Sequence, residues 1–375
     1  MDLIGSYFED PSAPSTDATL PLPGLYHGPS PSTKIWLSSS TGKPEFMRIA
    51  IIYPGVIPPV LYGGTERVIW SLGLELVKMG HHVTFVVNAG SACPFANIKI
   101  IDPTRPIASQ LPPELDISHF HYDPDFTVRA PYLVTMHGNR YDSRPFDHNT
   151  VFVSRQHAMR HGSSSYVHNG LAWEGYSKPQ LRTPPDDYFH FLAKAAWRVK
   201  NLSGAIRVIK RTSSSRLMVM GGNRLNFNMG FRLTLSRRAS FFGMVSGARK
   251  LELLNNSRGL LFPVIWHEPF GLAVIESLYM GCPVFGTPYG ALPEIVSDSV
   301  GFLSDQALEL AAALEHSGSF DRRACHEYAA DTFSARQMAI KYVNLYELIL
   351  QGTPLNAKRP QLIPAFRQRI LPFKG

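Results

Sequence analysis

The stretch WHEPFGLAVIESLYMGCPVFG, residues 266–286, places two glutamates around a turn and an apolar run. Glu268 precedes Pro-Phe-Gly, and Glu276 stands among apolar residues of a predicted helix. A carboxylate in a helix that packs on a sheet is unfavourable unless a donor meets it. A pair of neighbouring hydroxyls on a ligand would satisfy both oxygens of Glu276, and so would exposure to solvent or a nearby arginine.

The turn in this stretch predicts an anion site. We expect Pro269 in the first helical turn, where its missing N–H is not needed. Phe270, Gly271 and Leu272 would then present backbone N–H groups at the helix start, where the helix dipole is positive. Gly271 would leave room for a ligand to approach the backbone closely.

Strand and helix patterns alternate on both sides of the opening stretch. MRIAIIYP (47–54), TERVIWSLGLELVKMG (65–80) and HHVTFVVNA (81–89) predict strand, helix and strand. After a polar, proline-rich segment at 173–188, predicted to be a linker, the pattern restarts at FHFLAKAA (189–196). Such repetition is typical of right-handed, doubly wound α/β domains. The predicted fold class is therefore α/β, with two Rossmann-like domains facing a central cleft.

The predicted boundaries divide the chain into four parts. Residues 1–46, rich in Pro, Ser, Thr and Gly, predict a flexible extension. Residues 47–183 and 184–333 are the two predicted domains. Residues 334–375 predict a helix that crosses back to the first domain, followed by a basic tail. We expect that tail to be solvated or loosely docked.

Composition narrows the function classes. The chain has 375 residues, 44% of them hydrophobic, and a net charge of +8 that favours anionic partners. No stretch approaches the run of about 18 apolar residues needed to cross a bilayer. The three cysteines show no CxxC pairing, which favours a reduced, cytoplasmic protein. The sequence shows neither zinc-finger spacing nor an RNP-like strand, which argues against nucleic acid. Weak contact of the basic tail with the anionic inner face of a membrane stays open.

A glycine pair follows the first strand. Tyr62-Gly63-Gly64-Thr65-Glu66 opens the first helix, where two glycines let the backbone approach a ligand and free N–H groups attract an anion. The pair lacks the GxGxxG fingerprint, and the next strand offers no convincing acid for an adenosine ribose. A simple turn explains these glycines equally well.

The motifs together resemble a known family. Glu268-x-Phe-Gly-Leu-x3-Glu276-Ser, then GCPV (281–284) and GALPE (290–294), is similar to the retaining GT-B glycosyltransferases of family GT4, or glycosyl transferases group 1. Glycogen synthase and phosphatidylinositol mannosyltransferase are of this type. TMHG (135–138), VHNG (167–170) and GFL (301–303) extend the resemblance, which covers residues 47 to about 350.

The resemblance implies a role for each matching position. Glu276 would bind the ribose of a nucleotide-sugar donor. Glu268 would contact sugar hydroxyls and help to stabilise positive charge near the anomeric carbon. The N–H groups of Phe270, Gly271 and Leu272 would hold sugar hydroxyls and the distal phosphate.

On the facing side of the cleft, the resemblance implies that Gly63 and Gly64 line the diphosphate. His137, in TMHG, would lie beside the donor sugar and the acceptor. Outside this motif, a single histidine after a strand is more often structural.

A basic pair is where this chain departs from the family. The family has Gly-Arg and a later Lys-Gly, which neutralise the leaving diphosphate. Here FLAKAAWRVKNL (191–202) has Ala193 for the glycine and Lys194 for the arginine, with spacing one residue longer than is usual. We favour Lys194 and Lys200 as the pair, with Arg198 third. Lysine keeps the charge but loses the bidentate fork of arginine.

Two histidines at strand spacing offer an alternative metal site. His119 and His121 lie on one face of a predicted strand, and Asp123 follows. A structural strand end beside the cleft is favoured over a metal site, and the resemblance implies neither a metal nor another cofactor.

The resemblance implies a retaining, hexosyltransferase-like enzyme of class EC 2.4. It would use a UDP- or GDP-sugar, act on a glycan, lipid or small-molecule acceptor, and serve polysaccharide biosynthesis. The alternatives are a GT-B protein with another chemistry, such as epimerisation, and a nucleotide-sugar binder without activity. A Rossmann oxidoreductase is disfavoured because GxGxxG is missing.

Overall fold

The computed structural model describes residues 46–59, 63–128, 131–226 and 232–375. The extension predicted for residues 1–46 therefore lies, except for Phe46, outside the described residues, and so does Tyr62 of the glycine loop.

The first sheet is parallel, with six strands in the order β3-β2-β1-β4-β5-β6. Its strands are β1 (Arg48–Tyr53), β2 (His82–Val87), β3 (Asn97–Ile100), β4 (Ile117–Phe120), β5 (Tyr132–Met136) and β6 (Thr150–Phe152). Its helices are α1 (Gly64–Lys78) and α2 (Arg155–Met159). β3 was not predicted, because its short sequence NIKI is half exposed and carries little apolar signal.

The second sheet repeats this plan. It is parallel and has the order β11-β8-β7-β12-β13-β14. Its strands are β7 (Tyr188–Leu192), β8 (Arg216–Met220), β11 (Ala239–Phe241), β12 (Leu260–Phe262), β13 (Val284–Gly286) and β14 (Gly301–Leu303). A small antiparallel hairpin, β9 (Leu225–Asn226) and β10 (Arg232–Leu233), precedes β11.

Helices cover the second sheet and return the chain to the first. They are α3 (Leu202–Arg211), α4 (Gly247–Asn255), α5 (Leu272–Tyr279), α6 (Leu292–Ile295), α7 (Ala307–Glu315), α8 (Arg322–Thr332) and α9 (Ala335–Leu350). In the part of the chain that is described, no helix is both long enough and apolar enough to cross a membrane.

The two-domain α/β prediction is confirmed, and its physical basis is visible in the strands. β1 has the sequence RIAIIY, and its four central residues are buried, as expected for a strand covered on both faces. α1 buries a helical stripe that includes Val68, Leu72 and Leu76 against the first sheet. The predicted domain boundary near residue 183 falls between β6 and β7.

α9 crosses back to the first domain and packs against α1 and β5. Tyr342 and Tyr346 of α9 are fully buried. The Tyr346 hydroxyl lies 2.7 Å from Nδ1 of His119, and the Tyr342 hydroxyl lies 2.9 Å from Oγ1 of Thr135. The crossover helix is therefore part of the first domain's core.

The expectation of a solvated or loosely docked tail is wrong. Backbone N–H groups of Gln361 and Ile363 donate to the carbonyls of His161 and Arg160 in the first domain. Further on, the N–H groups of Leu371 and Lys374 donate to Ile265 and Asp305 in the second. The tail is fixed because its backbone groups, as well as the basic side chains of Arg359 and Lys374, have specific partners.

Asn356 fixes the start of this tail. Its Nδ2 donates to the carbonyls of His148 and Thr150, each at 2.8 Å, and its Oδ1 accepts from the Ser163 hydroxyl at 2.5 Å. The side chain is buried, so all three partners would lose a buried hydrogen bond together if it were truncated.

We predict that Asn356→Ala lowers the free energy of unfolding by about 1–3 kcal/mol, because buried polar groups are left unpaired. Urea denaturation measures this change. The matched control is Lys358→Ala, an exposed position two residues away, which should change stability by less than about 0.5 kcal/mol. Equal small effects from both substitutions would contradict the docked tail.

Candidate functional site

The site residues follow the central strands of the two sheets. In each sheet the chain order reverses between two neighbours, β1 and β4 in the first and β7 and β12 in the second. Loops that leave the carboxyl ends of strands at such a switch point form the usual ligand crevice of open α/β sheets. The glycine pair follows β1, the basic segment 193–200 follows β7, and the segment 266–272 follows β12.

The start of α5 differs from the prediction. The helix begins at Leu272, and Gly271 caps it with φ 100°, a left-handed conformation that favours glycine. Pro269 therefore precedes the helix, and its predicted place in the first turn is wrong. The Glu268 carbonyl accepts from the N–H of Ala291, which holds this segment outside the helical path. Of the three predicted amide donors, only that of Leu272 belongs to the helix.

The glycine pair meets this helix start across the cleft. Gly63 is the N-cap of α1 and Gly64 its first residue. A Cβ atom on Gly64 would lie 3.3 Å from Cδ1 of Leu272, and one on Gly63 would lie 2.6 Å from Oε2 of Glu66. The first residues of the two helices are therefore close together, and the amides at a helix start carry partial positive charge.

Glu276 is 1% exposed, and protein donors meet it. Oε1 accepts from the Tyr176 hydroxyl at 2.7 Å and from Lys250 Nζ at 2.6 Å, while Oε2 accepts from Arg67 Nη2 at 3.1 Å. Arg67 Nη1 also donates to Oε1. Burial opposes ionisation, but the two cations outweigh it, so the pKa of Glu276 lies well below its usual value. Among the alternatives left open by the sequence, pairing with an arginine is what the structure shows.

Three members of this cluster were missed by the sequence analysis. Arg67 lies on α1, Lys250 on α4, and Tyr176 in the segment predicted to be a linker. The one usable signal was the rule that a buried carboxylate must find cations. That rule does not say which of 37 lysines and arginines supplies them.

Glu268 is also buried and paired. Lys200 Nζ lies 2.6 Å from its Oε2, and Trp266 Nε1 donates to the same oxygen at 2.8 Å. Residues Arg198–Lys200 form a short 3-10 turn, and the Val199 carbonyl accepts from the N–H of Ile265. This hydrogen bond joins the loop after β7 to the loop after β12.

The structure separates the three candidate cations. Lys200 pairs with Glu268, whereas Lys194 and Arg198 are exposed. Lys194 Nζ lies 6.0 Å from the ring centre of Trp197. Lys200 is therefore the cation best placed beside the buried carboxylate.

His137 follows β5 and forms a pair with His121. Its Nε2 lies 2.8 Å from Nδ1 of His121, so one ring donates a proton and the other accepts it. Burial lowers the pKa of His137 to about 4, so its ring is neutral at pH 7. A neutral histidine can position or polarise a hydroxyl but adds no positive charge.

At the alternative metal site, the side chains of His119 and Asp123 already have protein partners. His119 uses both ring nitrogens on protein partners, with Thr135 Oγ1 at 2.7 Å from Nε2 and Tyr346 on the other side. Asp123 pairs with Arg140. Among the described residues, no group of three or more His, Cys, Asp or Glu side chains is arranged to hold a metal ion.

The part of the chain that carries these side chains is similar to known glycosyltransferases. Residues 176–320 match the family model for glycosyl transferases group 1. This matched region carries Glu268, Glu276, Lys200 and the loops that hold them. An uncharacterised 41.2 kDa protein from the cps region of Klebsiella pneumoniae is 32% identical over 114 residues, which are 28% of this chain and 32% of that protein.

Solved structures show that the fold is GT-B. AviGT4, a glycosyltransferase involved in avilamycin A biosynthesis, aligns with TM-score 0.68 and 20% identity over 82% of this chain and 99% of its own. Sucrose-phosphate synthase from Thermosynechococcus elongatus aligns with TM-score 0.61 and 16% identity over 82% and 100%. Anabaena HepE in complex with UDP-glucose aligns with TM-score 0.57 and 14% identity over 82% and 99%.

We predict that Lys250→Met lowers the free energy of unfolding by about 1–3 kcal/mol, because a buried carboxylate loses a charged hydrogen bond. Urea denaturation at pH 7 measures the loss. Arg249→Met is the matched control, because the adjacent Arg249 pairs with Glu252 where both side chains are more than half exposed, at 55% and 57%. That control should cost less than about 1 kcal/mol. Equal losses would mean that Lys250 contributes no more to stability than a surface residue.

Proposed function

We propose that the protein transfers a sugar from a nucleotide-diphosphate sugar to an acceptor hydroxyl with retention of anomeric configuration. The observation that carries this proposal is the placement of Glu268 and Glu276. Both carboxylates are buried, each meets a cation, and both lie by the start of α5, opposite the N-terminus of α1. The family match over residues 176–320 supports the same chemistry.

In this proposal Glu276 holds the donor's ribose. Two vicinal hydroxyls take over the hydrogen bonds that Arg67 makes to the two oxygens of Glu276. Lys250 and Tyr176 stay on the carboxylate and keep it ionised. A ribose is thus bound by exchanging one bidentate partner for another, so the buried oxygens remain satisfied.

The diphosphate lies between the two facing helix N-termini, where the amides of Gly64 and Leu272 are positive. Lys200 lies beside Glu268, at the end that faces the sugar. Charge develops on the leaving phosphate as the glycosyl bond breaks, and fixed cations stabilise it more in the transition state than before. Lys194 and Arg198 supply further charge from the exposed loop.

Retention follows from attack on the face that the phosphate leaves. The acceptor oxygen bonds to the anomeric carbon, the carbon–phosphate oxygen bond breaks, and the departing phosphate takes the acceptor's proton. Glu268 would stabilise positive charge at the carbon, and neutral His137 would orient the acceptor hydroxyl. This route needs no paired acid and base at the spacing of a glycosidase.

A solved neighbour supports the choice of a nucleotide sugar as the donor. One solved structure is of HepE with UDP-glucose, and we propose a UDP- or GDP-sugar for this chain. The similar Klebsiella pneumoniae protein belongs to a cps region, and we propose polysaccharide biosynthesis as the role of this chain. A panel of nucleotide sugars tested by thermal shift identifies the donor, because a ligand of the folded state raises its apparent stability.

We predict that Lys200→Met lowers kcat by a factor of about 100 or more with little effect on donor affinity, because it acts on charge in the transition state. Glu276→Ala should instead weaken donor binding at least about tenfold, because a pair of charged hydrogen bonds is lost. Calorimetric titration and initial rates separate the two effects. Lys210→Met, on an exposed face of α3, is the control. Unchanged donor affinity in Glu276→Ala would remove the ribose assignment.

A second candidate function is nucleotide-sugar binding without transfer. The replacement of the family's Gly-Arg by Ala193 and an exposed Lys194 favours it, because a bidentate contact to the diphosphate is missing. Donor binding with no transfer to any acceptor, and no epimerised product, would support this candidate.

We further predict that EDTA leaves sugar transfer unchanged, because the proposed leaving-group charge is met by lysine and helix amides. Initial rates with and without chelator measure this. Clear loss of activity, restored by a divalent cation, would reopen His119 and His121 as metal ligands.

A further inference from the structure

Arg160 is a buried cation without a carboxylate. It follows α2 in the first domain and is 1% exposed. Its Nη1 donates to Oδ1 of Asn139, but Nε and Nη2 have no hydrogen-bond acceptor among the described residues. No described ion pair includes it. Burying an unpaired guanidinium is costly, so this arrangement points to an absent anion.

One neighbour of Arg160, His157, also has a hydrogen-bond donor without a partner in the part of the chain that is described. His157 is buried with both ring nitrogens unpartnered, and Nε2 of His161 is unpartnered as well, within the described residues. Burial, together with the charge of Arg160, lowers the pKa of both histidines. Neutral His157 offers one N–H, whereas the N–H of neutral His161 is on Nδ1 and donates to the His157 carbonyl at 3.0 Å.

This cluster adjoins the sugar end of the cleft. Asn139, the partner of Arg160, donates from Nδ2 to the His267 carbonyl at 2.7 Å, and His267 precedes Glu268. The ring of Tyr141 lies 5.7 Å from the Arg160 guanidinium. Arg160 therefore connects the first domain to the loop that carries the proposed catalytic carboxylate.

The C-terminal tail packs against Arg160 and its neighbours. The Ile363 N–H donates to the Arg160 carbonyl at 2.9 Å. Phe366 packs edge-on against His267, with ring centres 5.5 Å apart. Arg369 lies over Tyr141 at 4.9 Å. The tail thus adds two side chains to the acceptor side of the cleft.

We propose that Arg160 binds a phosphate group carried by the acceptor. Nε and Nη2 form the edge of a planar fork that matches two oxygens of an oxyanion. The N–H of neutral His157 suits a third oxygen, which a phosphate group has and a carboxylate lacks. The inference rests on the proposed function, because that function makes this side of the cleft the acceptor side.

The first test uses inorganic phosphate as the probe, with saturating UDP present to fill the donor site. Phosphate should raise the Tm of the wild-type protein above that in chloride at equal ionic strength. Arg160→Met should abolish this rise and leave UDP affinity unchanged. Arg105→Met, at an exposed position in the same domain, should keep the full rise.

The Tm measured without phosphate tests separately whether Arg160 is an unpaired buried charge. Arg160→Met removes an unpaired buried charge, so its Tm in chloride should equal or exceed that of the wild type. Arg160→Lys keeps the charge without the fork, and should weaken the phosphate response at least about fivefold. It also serves as the test variant if Arg160→Met does not fold. A wild-type response to phosphate in Arg160→Lys and Arg160→Met would overturn the assignment.

A second arm distinguishes the source of the phosphate. Co-sedimentation with phosphatidylcholine vesicles, with and without about 30% of the anionic lipid phosphatidylglycerol, tests a lipid acceptor. Anionic-vesicle binding that is lost in Arg160→Met but kept in Arg105→Met supports a lipid phosphate. A Tm rise with phosphate and no vesicle binding supports a soluble phosphorylated acceptor.

The two proposals fail in different ways. If neither phosphate nor anionic vesicles distinguish Arg160→Met from the wild type, the anion site is wrong, whatever the donor result. If UDP and nucleotide sugars do not bind but phosphate still depends on Arg160, the transferase proposal fails and the anion site stands.

Discussion

The need to neutralise a buried carboxylate shapes the whole cleft. Glu276 is held inside α5 of the second domain, yet one of its two cations, Arg67, comes from α1 of the first. Because an ionised carboxylate is unstable in an apolar interior, the two domains are bound to each other through this charge. The same contact brings Gly64, the first residue of α1, close to Leu272, the first residue of α5.

Repetition of one sheet plan explains why so many site residues converge. Each sheet places its first and fourth strands side by side, and the loops that follow these strands emerge at the same edge. Lys200 and Glu268 meet because their loops follow neighbouring strands β7 and β12. The glycine pair and His121 likewise follow β1 and β4. Residues far apart in sequence are therefore neighbours for a purely topological reason.

Much of this could be predicted from the sequence, and the remainder has physical causes. Strands such as RIAIIY and the helix α1, which ends two residues before Gly80, carry strong periodic signals, so the two-domain plan was predictable. The motifs singled out Glu268 and Lys200, but they did not predict that the two side chains pair with each other. Arg67, Tyr176 and Arg160 were not predictable, because their partners lie 209, 100 and 21 residues away. The positive φ of Gly271, which moved the helix start beyond Pro269, depends on tertiary contacts that local propensity does not contain.

The docked tail limits how far the two domains can move apart. It is fastened to the first domain at Ile363 and to the second at Leu371. The chain between these two points spans at most about 28 Å when fully extended. It is shorter than that in the structure, because Pro364–Phe366 form a 3-10 turn. The segment therefore acts as a tether: modest separation of the domains straightens the turn, and wider separation must detach one fastening.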